Sequence, residues 1–145
     1  MLGAALSLAS CSRADRQEGA DWREGVESRE DCIARMNVLS EELISQPAAR
    51  HFRWVPVFQF DVTRMSKDAV DELVASTGAH VMTPSEPGYR AGEAIPDALL
   101  YRRKETSLFR LRGRPVAMAD VTEVGCALQR PGMRLISWDM QPPPK

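Results

Sequence analysis

HFRWVPVFQFDV, residues 51–62, is the stretch that decides the fold. Phe52, Trp54, Phe58, Phe60 and Val62 recur with a period of two, while His51, Arg53, Gln59 and Asp61 take the alternate positions. Side chains alternate between the two faces of a strand, so this pattern predicts a β-strand with one aromatic, buried face. It is the richest such run in the chain and belongs at the centre of a sheet. Pro56 interrupts it, and a residue with no N–H to give to a ladder points to a bulge or an edge position there.

Helices are predicted on both sides of this strand. Upstream, Ser28 with Asp31 three residues on has the form of a capping box. Cys32, Met36, Leu39 and Leu43 then form one helical stripe, flanked by Ile33 and Ile44 and stopped by Pro47. Downstream, Ser66 caps a second helix with Val70, Leu73 and Val74 inward, and Gly78 suits a left-handed end. Val81 and Met82 make a short strand. Residues 83–96, with three prolines and two glycines, form a loop long enough to bind something.

The last third reads as antiparallel. Phe109 and Leu111 alternate with Arg110 and Arg112, and Gly113-Arg114 suits a two-residue turn from which 116–121 returns. A second hairpin is expected from 121–128 and 133–140, turning at Pro131-Gly132, with Ile136, Trp138 and Met140 inward. The expected architecture is α+β: an antiparallel sheet of four to five strands with two helices packed on one face. The domain spans 28–140, and 141–145 is a frayed, proline-rich tail.

The N-terminus carries a different signal. Residues 1–10 hold no charged side chain, and the apolar run ends in Leu8-Ala9-Ser10-Cys11, after which charge begins. These four residues resemble the lipobox of bacterial lipoproteins: a branched residue, two small ones and the cysteine that receives lipid. The resemblance covers only this run and implies no fold. It implies that 1–10 is a signal peptide, that Cys11 is lipidated, and that the protein faces the periplasm from the outer membrane, since Ser12 is not Asp. No Lys or Arg precedes the run, so a basic n-region is expected upstream of Met1. Residues 11–27, charge-rich with Gly19 and Gly25, read as a polar tether. With Cys11 acylated, Cys32 and Cys126 remain as an even pair in an oxidising compartment and are expected to form a disulfide, Cys32 from the helix stripe and Cys126 from a core-facing strand.

A net charge of −1 over 145 residues gives no global attraction to nucleic acid. The charge is uneven: residues 12–50 hold six Arg against nine Asp and Glu, whereas 102–114 hold six positive charges against Glu105 alone. Arg102, Arg103, Lys104, Arg110, Arg112 and Arg114 form that cluster. Arginine's planar fork suits carboxylate and phosphate, although a basic strand face also serves simply to stay soluble. Catalytic motifs are absent: there is no phosphate loop, nucleophile elbow, C-x-x-C or H-E-x-x-H. His51 and His80 could meet with Asp61 at a metal, and Cys126 with His80 could make a thiol hydrolase, but neither has ligand-type spacing. The expectation is a lipid-anchored, non-enzymatic binding domain without cofactor or metal. Its partner would be a protein or another anionic component of the envelope, as for an inhibitor, an immunity lipoprotein or an accessory subunit. A small periplasmic hydrolase using His51, His80 or Cys126 is the alternative.

Overall fold

The structure, a computed structural model, describes residues 27–86, 88–103 and 105–142. The predicted signal peptide, Cys11, most of the tether, Lys104 and the end of the tail lie outside the described residues. The fold is α+β: three helices and a six-stranded, mostly antiparallel sheet among the described residues. Its elements are α1 (Arg29–Ile44), a single helical turn (Ala48–His51), β1 (Arg53–Asp61), α2 (Lys67–Thr77), β2 (His80–Met82), β3 (Ala98–Arg102), β4 (Ser107–Arg112), β5 (Val116–Ala117), α3 (Val121–Ala127) and β6 (Arg134–Gln141). The strands run β2-β3-β4-β1, with β5 and β6 also paired to β1.

β1 is the centre, as its aromatic period predicts. Phe58 and Phe60 are wholly buried, and Val62 follows them into the core. Phe52 instead precedes the strand and is 61% exposed. One core joins Cys32 and Met36 of α1, Val70 and Leu73 of α2, and Val121 and Cys126 of α3 to these side chains, with Leu100, Phe109 and Leu135 from the neighbouring strands. All three helices therefore pack on the same face of the sheet. The predicted caps hold: the Ser28 hydroxyl accepts from Asp31 N and the Ser66 hydroxyl from Ala69 N. Gly78 ends α2 at φ 68°, in the left-handed region that favours glycine.

Three expectations for the last third are corrected. First, residues 113–114 do not turn the chain back. Val57 pairs with Arg112, Gly113 N donates to Pro56 O at 2.8 Å, and Trp54 pairs with Val116. β5 thus continues β4 along one edge of β1. Three steps on β1 face four on its partner, so the bulge demanded by Pro56 is carried by the opposing strand. A Cβ on Gly113 would lie 3.0 Å from Pro56 and 3.1 Å from Phe58, so close approach accounts for glycine there.

Second, 121–127 is a helix. Val121, Thr122, Gly125 and Cys126 are its buried positions, which is helical spacing. The Pro131-Gly132 turn exists, with Met133 N donating to Arg130 O at 2.9 Å and Gly132 at φ 83°, but it joins α3 to β6. Third, Ile136 is 37% exposed, because the β1–β6 register shifts by one residue between Gln59 and Phe60. That bulge lets Leu135 and Trp138, three residues apart, face the core together.

β3 was not legible as a strand. It pairs antiparallel with β4 and parallel with β2. Parallel neighbours need a crossover of a dozen or more residues, and 83–97 supplies it. The long loop therefore has a topological reason for its length.

Candidate functional site

The face of the sheet away from the helices carries the candidate site. β4 lies between β3 and β1, with Phe109 and Leu111 turned into the helical core. Alternation then sends Leu108, Arg110 and Arg112 to the outer face. Arg110 stands between Leu99 of β3 and Gln59 of β1, Tyr101 stands opposite Leu108, and Arg112 opposite Val57. Gln59, Tyr101, Arg103, Leu108 and Arg110 line an open depression of about 280 Å³. Arg110 is half-buried in it, and neither its guanidinium nor that of Arg103 has a hydrogen bond or ion pair with any described residue. The Gln59 amide likewise has no hydrogen bond with any described residue.

The crossover loop borders this face. Ile95, Pro96 and Asp97 line a small gap with Val57, Arg110 and Arg112. Arg112 N donates to Asp97 O at 2.8 Å, and its Nε lies 4.0 Å from the Asp97 carboxylate. Further along the loop, the His80 and Tyr89 rings meet edge to face at 6.3 Å. Burial first, then the charges of Glu86, Tyr101 and Glu93, holds the Tyr89 phenol above its ordinary ionisation range. Asp139, opposite Val57 on β6, adds a negative charge to the same face.

The six predicted basic residues are therefore not one hairpin patch. Arg103, Arg110 and Arg112 share the outer face. Arg102 pairs with Ser107 one step beyond Tyr101, which sends it to the other face, where it is exposed. Arg114 is exposed in the link between β4 and β5, not at a hairpin tip. Lys104 lies outside the described residues. Gln59, Tyr101 and Leu108 join the site without having been anticipated. The short apolar run 98–101, bounded by Pro96 and the basic triplet, was the signal that could have revealed β3 and hence Tyr101.

The residues of the catalytic alternative do not converge. His51 lies in the helical turn before β1 and Asp61 at its far end, ten residues and roughly 30 Å along an extended strand. His80 Nε2 is 3.2 Å from Glu86 Oε2 on the exposed loop. No group of three or more His, Cys, Asp or Glu able to hold a metal occurs among the described residues. Cys126 is bonded to Cys32, their Cα atoms 5.7 Å apart, so its sulfur is not a free thiol; it comes from α3, not from a strand.

A polar cluster lies on the helical side, around Glu27. Glu27, read from sequence as the last tether residue, accepts two hydrogen bonds from Arg35, at 2.7 and 2.9 Å, and one from Gln129 at 3.2 Å. Arg35 also donates to Leu135 O at 2.7 Å, and Gln129 Oε1 accepts from Leu135 N at 2.6 Å. Burial pushes the Glu27 carboxyl up, but the bonds and charge of Arg35, with Gln129 and Arg134, outweigh it and leave the group below its ordinary value of 4.5. No protein-family model matches the chain, and comparison with curated proteins and with solved structures likewise finds no match.

Proposed function

We propose that this chain is a lipid-anchored binding domain that faces the periplasm and works without catalysis, and that its working surface is the outer face of the sheet. The observation that supports this reading is the pair of arginines, Arg103 and Arg110, standing beside an open depression without acidic partners among the described residues. Solvent-accessible like charges without acidic neighbours favour a complementary partner and steer its approach. The partner is an anionic component of the envelope, and an inhibitor, an immunity protein or an accessory subunit would each use such a face. The lipobox-like Leu8-Ala9-Ser10-Cys11 supplies the address. A multiply acylated cysteine anchors stably where a single chain would not.

The test compares three versions of the full chain expressed with a complete signal. Wild type should fractionate with membranes and take up lipid label, and Cys11→Ala should do neither. Arg110→Glu/Arg112→Glu should stay membrane-bound and folded but lose its partners in affinity capture from envelope extract, with wild-type capture weakening as salt rises. Capture by the double variant of the same partners at the same salt dependence would overturn the working-surface reading.

A further inference from the structure

We propose that the depression around Arg110 is a seat for a single carboxylate carried by an acidic peptide segment of a protein partner. The proposal rests on the reading of the outer face as the working surface and names what that face takes.

Three observations carry it. The donors are of the right kind and number. Arg110 presents a planar fork, Arg103 a second cation, and Gln59 an amide that can both donate and accept. A fork opposite a carboxylate forms two parallel charge-assisted bonds, and the Gln59 amide can meet the peptide backbone beside it. Tyr101 and Leu108, directly paired across β3 and β4, give this mostly polar depression an apolar margin beside the arginine that suits the hydrocarbon of a neighbouring side chain. Their rings and methyls have no use against a bare inorganic anion.

The third observation separates a carboxylate from a polyanion. Arg112 is already beside Asp97, at 4.0 Å, and Asp139 stands on the same face across from Val57. A phosphate-dense bilayer or an acidic glycan would bring many negative charges against those two carboxylates. One carboxylate seated at Arg110 would not. Glu27, clamped to Arg35 and Gln129, lies on the helical side, the layer opposite the depression.

The experiment is an amide-shift titration of the full ¹⁵N-labelled chain with acetyl-Gly-Glu-Leu-Gly-amide. Its Gln counterpart, inorganic phosphate and phosphatidylglycerol vesicles serve as separate arms. The Glu peptide should give saturable shifts centred on Gln59, Tyr101, Leu108 and Arg110, and the Gln peptide should bind at least about fivefold more weakly. Arg110→Gln should raise Kd about tenfold, and Arg110→Lys, which keeps the charge without the fork, about threefold. If Arg110→Gln does not fold, Arg110→Lys and the Glu-against-Gln peptide difference carry the comparison. Equal binding of the two peptides, shifts centred elsewhere, or a response to phosphate or vesicles alone would overturn the carboxylate seat. Such a failure alongside lost capture by the charge-reversed variant leaves the working-surface reading standing. A seat that responds while capture is unchanged leaves the seat and removes that reading.

Discussion

Glu27 shows what one residue at a boundary can do. Its side chain is only 8% exposed, and its charge is held by the fork of Arg35, with Arg134 Nε a further 4.0 Å away. Because its folded pKa lies below 4.5, the native state stabilises the carboxylate form. That contribution is fully present above the unfolded value and is lost as pH falls through 4.5 toward the folded value. Glu27→Gln should therefore lose about 1–3 kcal/mol at pH 7, the scale of hydrogen bonds to a charged group. It should also unfold with less pH dependence between pH 5 and about pH 3. Urea midpoints for both proteins at pH 7 and pH 3.5 check this: equal gaps between the two pH values would remove Glu27 from the acid response. Sequence placed this residue in the tether because its partners, Arg35 and Gln129, are 8 and 102 positions away.

At the scale of elements, α3 is where local reading and tertiary packing disagree. Val121, Thr122 and Val124 are β-branched and Gly125 is a poor helix former, so the segment favours a strand on propensity alone. The helix forms because Gly125 lets it lie directly on the sheet: a Cβ there would meet Leu135 and Phe58 at 2.8 Å. Two effects compete in Gly125→Ala. Helix propensity would gain about 1 kcal/mol. Overpacking against two fully buried side chains costs about 1–3 kcal/mol. The expected outcome is a net loss of about 1 kcal/mol, read as a lower urea midpoint with an unchanged slope. A variant as stable as wild type would overturn the net loss and show that overpacking costs no more than the propensity gain. The β3–β4 pairing belongs to the same scale. The arginines of β4 were visible from alternation, but which strands flank them was not, and Gln59 and Tyr101 enter the site only through those neighbours.

Across the whole molecule, the Cys32–Cys126 bond ties α1 to α3 over a separation of 94 residues. The loop it closes contains β1 through β5 and α2, nearly the entire sheet. On the loop-entropy account such a closure stabilises by roughly 4–5 kcal/mol, and removal of a native disulfide typically costs about 2–5 kcal/mol. Cys32→Ala/Cys126→Ala should fall within that range by urea unfolding, and reductant should leave the double variant unchanged while destabilising wild type. A double variant equal to oxidised wild type would show that the bond adds nothing to the fold. Sequence by itself determined what is local: the aromatic period of β1, the capped helices α1 and α2, the Gly78 and Gly132 turns, and the inward Phe109 and Leu111. Each follows from backbone geometry or side-chain periodicity within a few residues. Only the tertiary structure decided that β5 extends β4, that 121–127 is helical, and that Arg103 and Arg110 share a depression with Gln59 and Tyr101. Those outcomes depend on contacts between distant segments, where close packing on Phe58 and the order of strands override local preference.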